Sequence, residues 1–458
     1  MSSFSRFKNY LTAPIDGRVL GLFRVFYGLL MMYEMFDYIK IDLVKNMFVL
    51  PLVNFKYDGL EWLTPMPEHY MDAIMYALLA MAALMTIGIW FKWAARLFAL
   101  GYAYIFLIDK SIYNNHIYLF ILLALLLSCT HADQFFSLRK KSIGKILRWE
   151  QFIIQFQMVI VYFYAALVKM KPDWLLEQQP MRSGLMGISN DHWLAPLFKT
   201  EFFIYLVTYS GLMLDLCSPL LLWYKPFRRF GIILLALFHL TNTQIFDDIG
   251  IFPIVMLCGL IIFFEWPELK WLQSRLPTTD ATSKSKNKKG DTTINIKALS
   301  EPQQPNKWLV ITLYAYFVIQ LLFPLRGFFL PNDLDWTTIG NRFAWRVKAD
   351  NKAPKELSFQ IFDHYGRPSN VEINTFINTH QIKMMLSDPR CVRELAIAIE
   401  KDIKKQGIPV SAVKARIQIS NNGKPPQFFV DPNVDLTQVK YTPWSKNTWI
   451  MDFVHDNK

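Results

Sequence analysis

The side chain with the clearest chemical potential is an amine at the end of an apolar stretch. The segment Tyr162–Trp174 reads YFYAALVKMKPDW, and Lys169 closes the apolar run. An ionisable group at membrane depth is costly, which makes it a candidate functional residue. On a helix, Lys169 shares a face with Tyr162, Ala165 and Ala166. The two alanines leave room for another helix or a flat ligand. The alternative is that Lys169 reaches toward lipid headgroups at a helix end.

A second lysine, Lys171, follows Lys169 closely in the sequence. Repulsion between the two charges and burial of Lys169 are both expected to lower the pKa of Lys169. A lysine whose pKa falls toward neutrality can act as a general base. Such a base suits a ligand that carries an acidic hydroxyl group.

A histidine preceded by two asparagines forms the next polar cluster. Asn114, Asn115 and His116 stand at the predicted start of a helix. Capping of free N–H groups could by itself explain the asparagines. The helix dipole disfavours a charged His116, and a neutral imidazole can accept a hydrogen bond from a hydroxyl ligand.

The third polar cluster closes another apolar segment. His239 and Asn242 share a helix face, Phe246 follows on the same side, and Gln244 lies in the same turn. A lone histidine in a membrane segment is most often a packing residue with an internal hydrogen bond. A histidine accompanied by two amides in one turn is more typical of a polar binding site.

The positions of these residues follow from an overall membrane-like composition. The chain has 458 residues, of which 53% are hydrophobic and 16% aromatic. Several apolar segments are long enough to span a bilayer, so we predict a polytopic α-helical membrane protein. The nine predicted spans are Val19–Met35, Met71–Ile89, Arg96–Leu107, Ile117–Cys129, Phe152–Val168, Phe202–Trp223, Phe230–Thr243, Ile251–Phe264 and Trp308–Phe323.

The net charge of +12 reflects membrane topology. Basic residues concentrate in short loops on one side of the predicted spans, which places the N-terminus in the cytoplasm and predicts no nucleic-acid partner. The sequence has no Asn-x-Ser/Thr acceptor. We therefore favour the bacterial inner membrane, with a periplasmic C-terminal domain, over the endoplasmic reticulum of a eukaryote.

The chain divides into four predicted parts. Residues 1–272 form a transmembrane domain with eight spans, and residues 273–306 form a polar, disordered cytoplasmic linker. Residues 307–330 form the ninth span, and residues 331–458 form a soluble domain on the outer face.

The predicted soluble domain is α+β and mostly β. Leu357–Phe362, Val413–Ile419 and Gln427–Val430 are strand candidates. Arg390–Lys405 has the apolar spacing of an amphipathic helix that stops near Gly407.

Several kinds of chemistry lack their usual motifs in this sequence. The four cysteines form no CxxC pair, and we find no metal-ligand cluster, no phosphate-binding glycine loop and no nucleophile elbow. We therefore predict no metal cofactor. The residues alone leave two possibilities: a site for a small amphipathic ligand with acidic hydroxyls, or a proton-coupled transporter.

At these positions the chain resembles the vitamin K-dependent γ-glutamyl carboxylase family, over nearly its whole length. The resemblance rests on motifs that occur in the same order as in that family: Asp109-Lys110 with Asn114–Leu119, Tyr162-Phe163 through Lys169 to Asp173-Trp174, Gly211–Leu216, Phe238–Phe246 with Gly250–Pro253, Gln320–Pro324, Trp345 and Phe429–Pro432.

The resemblance implies a lyase-class, epoxidising carboxylase whose cofactor is vitamin K hydroquinone, as reduced phylloquinone or menaquinone. The quinol reacts with O₂, ends as the 2,3-epoxide and drives removal of a γ-proton from a peptide glutamate. Addition of CO₂ then gives γ-carboxyglutamate. The implied partners are the lipid bilayer, a Glu-containing peptide or protein and a quinone-reducing system.

The resemblance also implies roles for individual residues. Lys169 matches the catalytic base, and His116 matches a histidine implicated in proton transfer. The implied cofactor contacts are Asn114, Asn115, Tyr164, His239, Asn242 and Gln244, and the implied substrate contacts are Trp345 and Arg346.

The chain departs from the family pattern in two respects. Val168 replaces the first of the paired lysines, and Lys171 replaces an acidic residue, so the field around the base differs. Vertebrate members have a disulfide between the membrane part and the outer domain, for which Cys391 has no outer partner here.

Two other functions remain open: a quinol epoxidase without peptide carboxylation, and a non-enzymatic proton-coupled transporter or lipid-handling protein.

Overall fold

The helical part of the chain comes first in the computed structural model, which describes residues 3–138, 145–246, 250–269, 306–331, 333–347 and 350–454. Its longer helices are α2 (Arg18–Lys40), α3 (Glu68–Ile87), α4 (Phe91–Ile108), α5 (Asn115–Ser128), α6 (Arg148–Lys169), α10 (Glu201–Trp223), α11 (Lys225–Ile245), α12 (Phe252–Gly259) and α13 (Lys307–Leu322). The shorter ones are α1 (Ser3–Leu11), α7 (Pro172–Leu175), α8 (Met181–Met186) and α9 (Ala195–Phe198).

Each of the nine predicted spans overlaps one of these helices or its 3₁₀ continuation, and Met71–Ile89, Ile117–Cys129 and Ile251–Phe264 extend one or two residues beyond them. Among the described residues, six segments are long and apolar enough to cross a membrane, namely α2, α3, α4, α6, α10 and Lys307–Phe329. Two shorter apolar segments, Asn115–Ser128 and Phe252–Phe263, accompany them. The prediction of a polytopic helical membrane protein is confirmed. The predicted linker lies outside the described residues except for Asn306.

The bundle is stabilised at one end by a buried arginine in α2. The Arg24 guanidinium donates hydrogen bonds of 2.6–3.0 Å to four backbone carbonyls, those of Met85, Thr86, Phe135 and Phe136. These carbonyls lie at the end of α3 and in a loop, where helical partners are missing. Arg24 therefore ties three segments together and satisfies their polar groups without meeting lipid.

The C-terminal domain is a four-stranded antiparallel sheet covered by two helices, α15 (Thr379–Met385) and α16 (Pro389–Lys405). A one-turn helix, α14 (Leu334–Thr337), precedes it. The strand order is β4 (Pro368–Val371), β3 (Lys352–Phe362), β5 (Ala412–Asn421), β6 (Gln427–Phe428). A separate two-stranded sheet joins β1 (Pro14–Asp16) and β2 (Lys145–Leu147) beside the bundle.

The amphipathic helix predicted over Arg390–Lys405 is confirmed as α16, and its apolar face packs on β5. Two strand candidates are confirmed within β3 and β5, whereas the third is limited to two residues. Strand β4 was not predicted because PSNV lacks the apolar alternation of a half-buried strand. The combination of a helical membrane part and a sheet-containing C-terminal domain is confirmed.

The two parts of the chain share a polar interface. Lys110, after α4, donates to Asp388 at 3.1 Å, and Arg342 approaches the same carboxylate at 2.8 Å. The core of the C-terminal domain also includes Val53 and Phe55, which belong to the connection between α2 and α3. The domain boundaries remain a prediction. Residues of the α2–α3 connection pack into the core of the C-terminal domain, so the two parts are joined by apolar contacts as well as by charges.

Candidate functional site

The predicted base lies at the end of α6 in a buried ion pair. The Lys169 side chain is 9% exposed, and its ammonium donates to a carboxylate oxygen of Asp215, which is 3% exposed. The amine also lies over the rings of Trp174 and Phe238, at 5.2 and 5.8 Å from their centroids. A carboxylate and two aromatic faces therefore replace water around this charge. Lys169 does not reach out to lipid headgroups.

The charged group next to Lys169 is the carboxylate of Asp215, whereas the sequence suggested the amine of Lys171. We expected Lys171 to act on it by repulsion, but Lys171 forms its own ion pair with Asp335 at 3.0 Å. Asp215, on α10, is 46 positions away from Lys169 in the sequence. We assigned it no role, although it is itself an ionisable residue in an apolar span, which is the signal that identified Lys169.

Helices α6, α10, α11 and α12 enclose an apolar cavity around this pair. Its volume is about 60 Å³, and both Lys169 and Asp215 line it. The other lining residues are Val161, Tyr162, Ala165, Trp174, Met181, Val207, Gly211, Phe238, His239, Asn242, Phe246, Phe252, Met256 and Val347. Methionines, which are unbranched and adaptable, line two sides.

A tyrosine–histidine pair also lines this cavity. The Tyr162 hydroxyl and His239 Nε2 are 2.7 Å apart, and both residues are buried. His239 Nδ1 has no hydrogen-bond partner among the described residues. When the hydroxyl donates to Nε2, Nδ1 carries the proton and can donate to an oxygen in the cavity. An unpartnered buried donor in an apolar cavity indicates a polar ligand.

The structure brings His239 and Asn242 together with Lys169, but not two other predicted contacts. Gln244 is exposed and donates to Thr243 at 3.3 Å. The Tyr164 hydroxyl donates to the carbonyl of Leu321 and does not line the cavity. Five positions separate Tyr164 from Lys169, which on a helix places them about 140° apart. The helical period alone therefore predicts that Tyr164 and Lys169 lie on different faces of α6.

His116 and the two asparagines line a second, polar cavity of about 280 Å³ between the bundle and the C-terminal domain. Phe252 and Val347 are walls of both cavities, so the two are neighbours. The His116 ring stacks on Phe252, with centroids 5.8 Å apart.

The capping interpretation of the two asparagines is not supported. Asn114 occupies the N-cap of α5 without a side-chain capping bond. The Asn115 amide instead donates to the carbonyl of Arg346 at 2.8 Å and accepts from the Tyr113 hydroxyl at 2.9 Å. Asn115 therefore joins α5 to the C-terminal part of the chain.

Two arginines, Arg342 and Arg346, and one carboxylate, Asp350, are the charged residues in the lining of the polar cavity. Arg346 pairs with Asp335, and Arg342 pairs with Asp388. The Nε atom of each is buried without a partner among the described residues, as is Oδ1 of Asn341. Guanidinium N–H groups in a polar cavity are suited to a carboxylate ligand.

Trp345 is not among the residues that line the polar cavity. Its ring is fully buried and stacks on Tyr118, with centroids 4.7 Å apart. It therefore supports the segment that carries Arg346. Among the described residues, no group of three or more His, Cys, Asp or Glu side chains is arranged to hold a metal ion.

Comparison with protein families matches both parts of the chain. Residues 12–268 match the HTTM domain, which covers more than half of the sequence. Residues 305–456 match the family described as "Vitamin K-dependent gamma-carboxylase, lumenal domain". No solved structure matches the chain.

Proposed function

The chain belongs to the vitamin K-dependent gamma-carboxylase family, and from this premise we propose that it is a membrane-embedded γ-glutamyl carboxylase that uses vitamin K hydroquinone. Quinol, O₂, CO₂ and a peptide glutamate would be converted to the 2,3-epoxide, water and γ-carboxyglutamate. When bound, the quinol would supply the driving force for removal of the weakly acidic γ-proton through its oxidation by O₂.

The observation that carries this proposal is the buried Lys169–Asp215 pair, in an apolar cavity next to a polar cavity with two arginines. An apolar cavity with an amine, a carboxylate and an unpartnered histidine nitrogen suits a prenylated ring with two hydroxyls. The polar cavity suits the carboxylate of a glutamate side chain. Their shared walls, Phe252 and Val347, would keep the two ligands adjacent.

Lys169 is the proposed base. Burial penalises both charges of the Lys169–Asp215 pair, and we propose that Lys169 acts in its neutral form, after giving its proton to Asp215. In the neutral form, Nζ has a free lone pair and can accept a proton from a hydroxyl in the cavity. Asp215 would hold the proton that Lys169 gives up before this transfer, and it would keep Nζ oriented toward the cavity.

The remaining predicted residues differ in how well their positions in the structure support a role. His239 Nδ1 and the Asn242 amide are proposed to contact the second hydroxyl of the quinol. His116, Asn114 and Asn115 are proposed to act at the boundary between the two cavities. Arg346 is proposed to bind the glutamate carboxylate, with Trp345 supporting it. Neither Tyr164 nor Gln244 has geometric support as a quinol contact.

The proposal extends to the location of the protein and its partners. We place this integral membrane protein in the bacterial inner membrane, with its N-terminus in the cytoplasm and its C-terminal domain in the periplasm. The substrate would be a Glu-containing peptide or protein. A quinone-reducing system would have to regenerate the quinol, because the reaction consumes it.

The deciding experiment is product analysis on purified protein in detergent. The protein would receive reduced vitamin K, bicarbonate and a short Glu-containing peptide, followed by chromatography for the epoxide and mass analysis of the peptide. We expect both products. Epoxide without carboxylated peptide would replace our proposal with a quinol epoxidase. Absence of both from folded protein would contradict it and favour a transport or lipid-handling function.

Substitution of the base tests the role of Lys169 within that assay. Lys169→Ala should lower epoxide formation by roughly 10²- to 10⁴-fold, because a positioned general base contributes about that much. Lys171→Ala is the matched control, since Lys171 pairs with Asp335 outside the cavity lining. Equal activity of Lys169→Ala and Lys171→Ala would exclude Lys169 as the base.

A further inference from the structure

A third cavity lies at the end of the bundle opposite Lys169. Its volume is about 370 Å³, and it is enclosed by the beginnings of α6 and α11, the end of α10 and the segment around Trp266. Arg148 begins α6 and Lys169 ends it, so the two residues lie about 30 Å apart along the helix axis. This cavity is therefore independent of the proposed active site.

Two residues in the lining of this cavity have an N–H donor that lacks an acceptor. Arg148 Nε and Trp223 Nε1 are buried atoms with no hydrogen-bond partner in the described part of the chain. The Arg148 guanidinium lies over the ring of Tyr10, 4.7 Å from its centroid. The arginine is thus held in position by an aromatic face. Unsatisfied donors at such a position indicate a ligand that brings oxygen atoms.

The other charges around the cavity are already paired. Lys225 pairs with Glu265 at 2.7 Å, and Arg228 with Glu268 at 3.0 Å. Asp16, the other carboxylate in the lining, pairs with Arg18 at 2.5 Å. Within the described residues Arg148 forms no such ion pair, and it faces Glu265 only at longer range. The uncompensated charge of the cavity is therefore positive.

The outer surface of the bundle next to the cavity is apolar. Leu220, Phe227 and Phe230 expose 49–59% of their surface close to the α10–α11 junction. Tryptophans are typical of the level at which a membrane meets water, and Trp223 and Trp266 both line the cavity. The positive cavity therefore adjoins a surface that hydrocarbon chains can cover.

We propose that this cavity binds the phosphate diester of a glycerophospholipid from the adjacent leaflet. The phosphate oxygens accept from Arg148 and Trp223, and the acyl chains lie along the exposed apolar face of α10 and α11. We favour a lipid over free phosphate because the N–H donors lie next to an apolar surface that is at the level of the membrane. The bound lipid would fix the junction between α10 and α11.

The test is native mass spectrometry of the full-length protein in detergent after delipidation and addition of dioleoylphosphatidylglycerol. We expect one lipid to remain bound to the wild type. Trp223→Phe and Arg148→Lys keep the ring and the charge, respectively, but remove the unpartnered donor. Each should weaken binding by roughly tenfold, the usual consequence of losing a hydrogen bond to a charged group.

Three further binding measurements serve as controls. Arg96→Gln is the matched control, because Arg96 lies 5.2 Å over the Trp93 ring at the beginning of α4 but does not line the cavity. It should bind lipid like the wild type. Dioleoylglycerol, which has no phosphate, should not bind, and inorganic phosphate should not displace the lipid. Thermal unfolding of each variant verifies that it is folded.

Other results would overturn the proposal. Unchanged binding in both cavity variants, or equal loss in Arg96→Gln, would mean that lipid coats the bundle without a site. Equal binding of dioleoylglycerol would remove the role of phosphate. Displacement by inorganic phosphate would make the ligand a free anion. None of these results bears on Lys169, since epoxide formation is measured separately.

Discussion

Lys169 and Asp215 are two ionisable side chains that the fold brings together inside an apolar bundle. Each would be costly to bury alone, and their contact is what makes burial of both possible. In the proposed mechanism, Lys169 gives its proton to Asp215 before it acts as a base. This property separates Lys169 from an ordinary lysine at a helix end, and the roles of both residues can be tested singly.

Asp215→Asn should lower epoxide formation by roughly 10²-fold, because an amide cannot take up the proton that Lys169 must release. The residual rate should rise with pH, since Lys169 must then lose its proton to solvent. Rates measured across pH report this change, which a merely structural role would not produce.

The control for Asp215 is Glu201→Gln, a change on the same helix at an exposed carboxylate that pairs with Arg182. It should leave the pH profile unchanged. A wild-type profile in Asp215→Asn would exclude a proton-holding role for Asp215.

Tyr162→Phe tests whether the tyrosine orients His239. The variant loses the hydroxyl that lies 2.7 Å from His239 Nε2, and the imidazole can then adopt either tautomer. We expect kcat/KM for reduced vitamin K to fall by roughly tenfold. Tyr164→Phe, on the same helix but directed to the Leu321 carbonyl, should behave as the wild type. An equal effect of both substitutions would attribute the loss to packing of α6.

At the scale of elements, the site depends on how closely α10 approaches its neighbours. Gly211 of α10 has no side chain at the point where Lys169 and Phe238 meet. A Cβ atom there would lie 3.5 Å from Phe238 and 4.0 Å from Lys169 Nζ. These are ordinary contacts, so a small addition is sterically possible but extends toward the cavity.

Gly211→Val should therefore narrow the cavity without preventing folding. Valine adds three carbon atoms beside the cavity, and we expect KM for reduced vitamin K to rise by about tenfold or more, because even one extra methylene in a pocket has an effect of about that size. Steady-state kinetics with varied quinol would measure it. Gly184→Val is the control, since a Cβ at Gly184 meets open space. An unchanged KM in Gly211→Val would place the quinol elsewhere.

At the scale of the whole molecule, buried charges hold the C-terminal domain against the membrane part. All four cysteines are free, and Cys391 is fully buried. Asp388 contacts Lys110 across this interface, at 3.1 Å, and Arg342 at 2.8 Å. The polar cavity lies at this interface, so the alignment of the two parts also shapes the proposed peptide site.

Asp388→Asn should destabilise the protein by about 3 kcal/mol, because two buried cations would lose their counter-ion. Denaturant unfolding in detergent, followed by tryptophan fluorescence, would measure this. Asp452→Asn is the control, since the exposed pair with Lys446 contributes little. Equal stability of the two variants would show that the interface does not depend on this carboxylate.

The same carboxylate predicts a dependence of stability on pH. Burial alone would raise the pKa of Asp388, but Lys110 and Arg342 outweigh it and hold the pKa well below the ordinary range. The contribution to stability is therefore complete above the unfolded-state pKa of about 4 and is lost as the pH falls toward the folded-state pKa. Stability of the wild type should decline more steeply below pH of about 4 than that of Asp388→Asn.

Sequence reasoning found most of the membrane helices, since apolar length and charge distribution are local properties. It also placed Tyr162 with Lys169, and His239 with Asn242, because residues of one helix share a face at a known period. The same period separates Tyr164 from Lys169. Strand β4 was missed because its four residues carry no apolar alternation.

The sequence by itself determined the membrane class, the family, the amine at the end of α6 and the residues that share its helical face. Only the tertiary structure decided that Asp215 neutralises this amine, that Lys171 pairs with Asp335, and that His116 lines a separate polar cavity. The reason is physical. A helical period relates residues within one segment, whereas contacts between segments depend on side-chain packing between parts of the chain far apart in sequence.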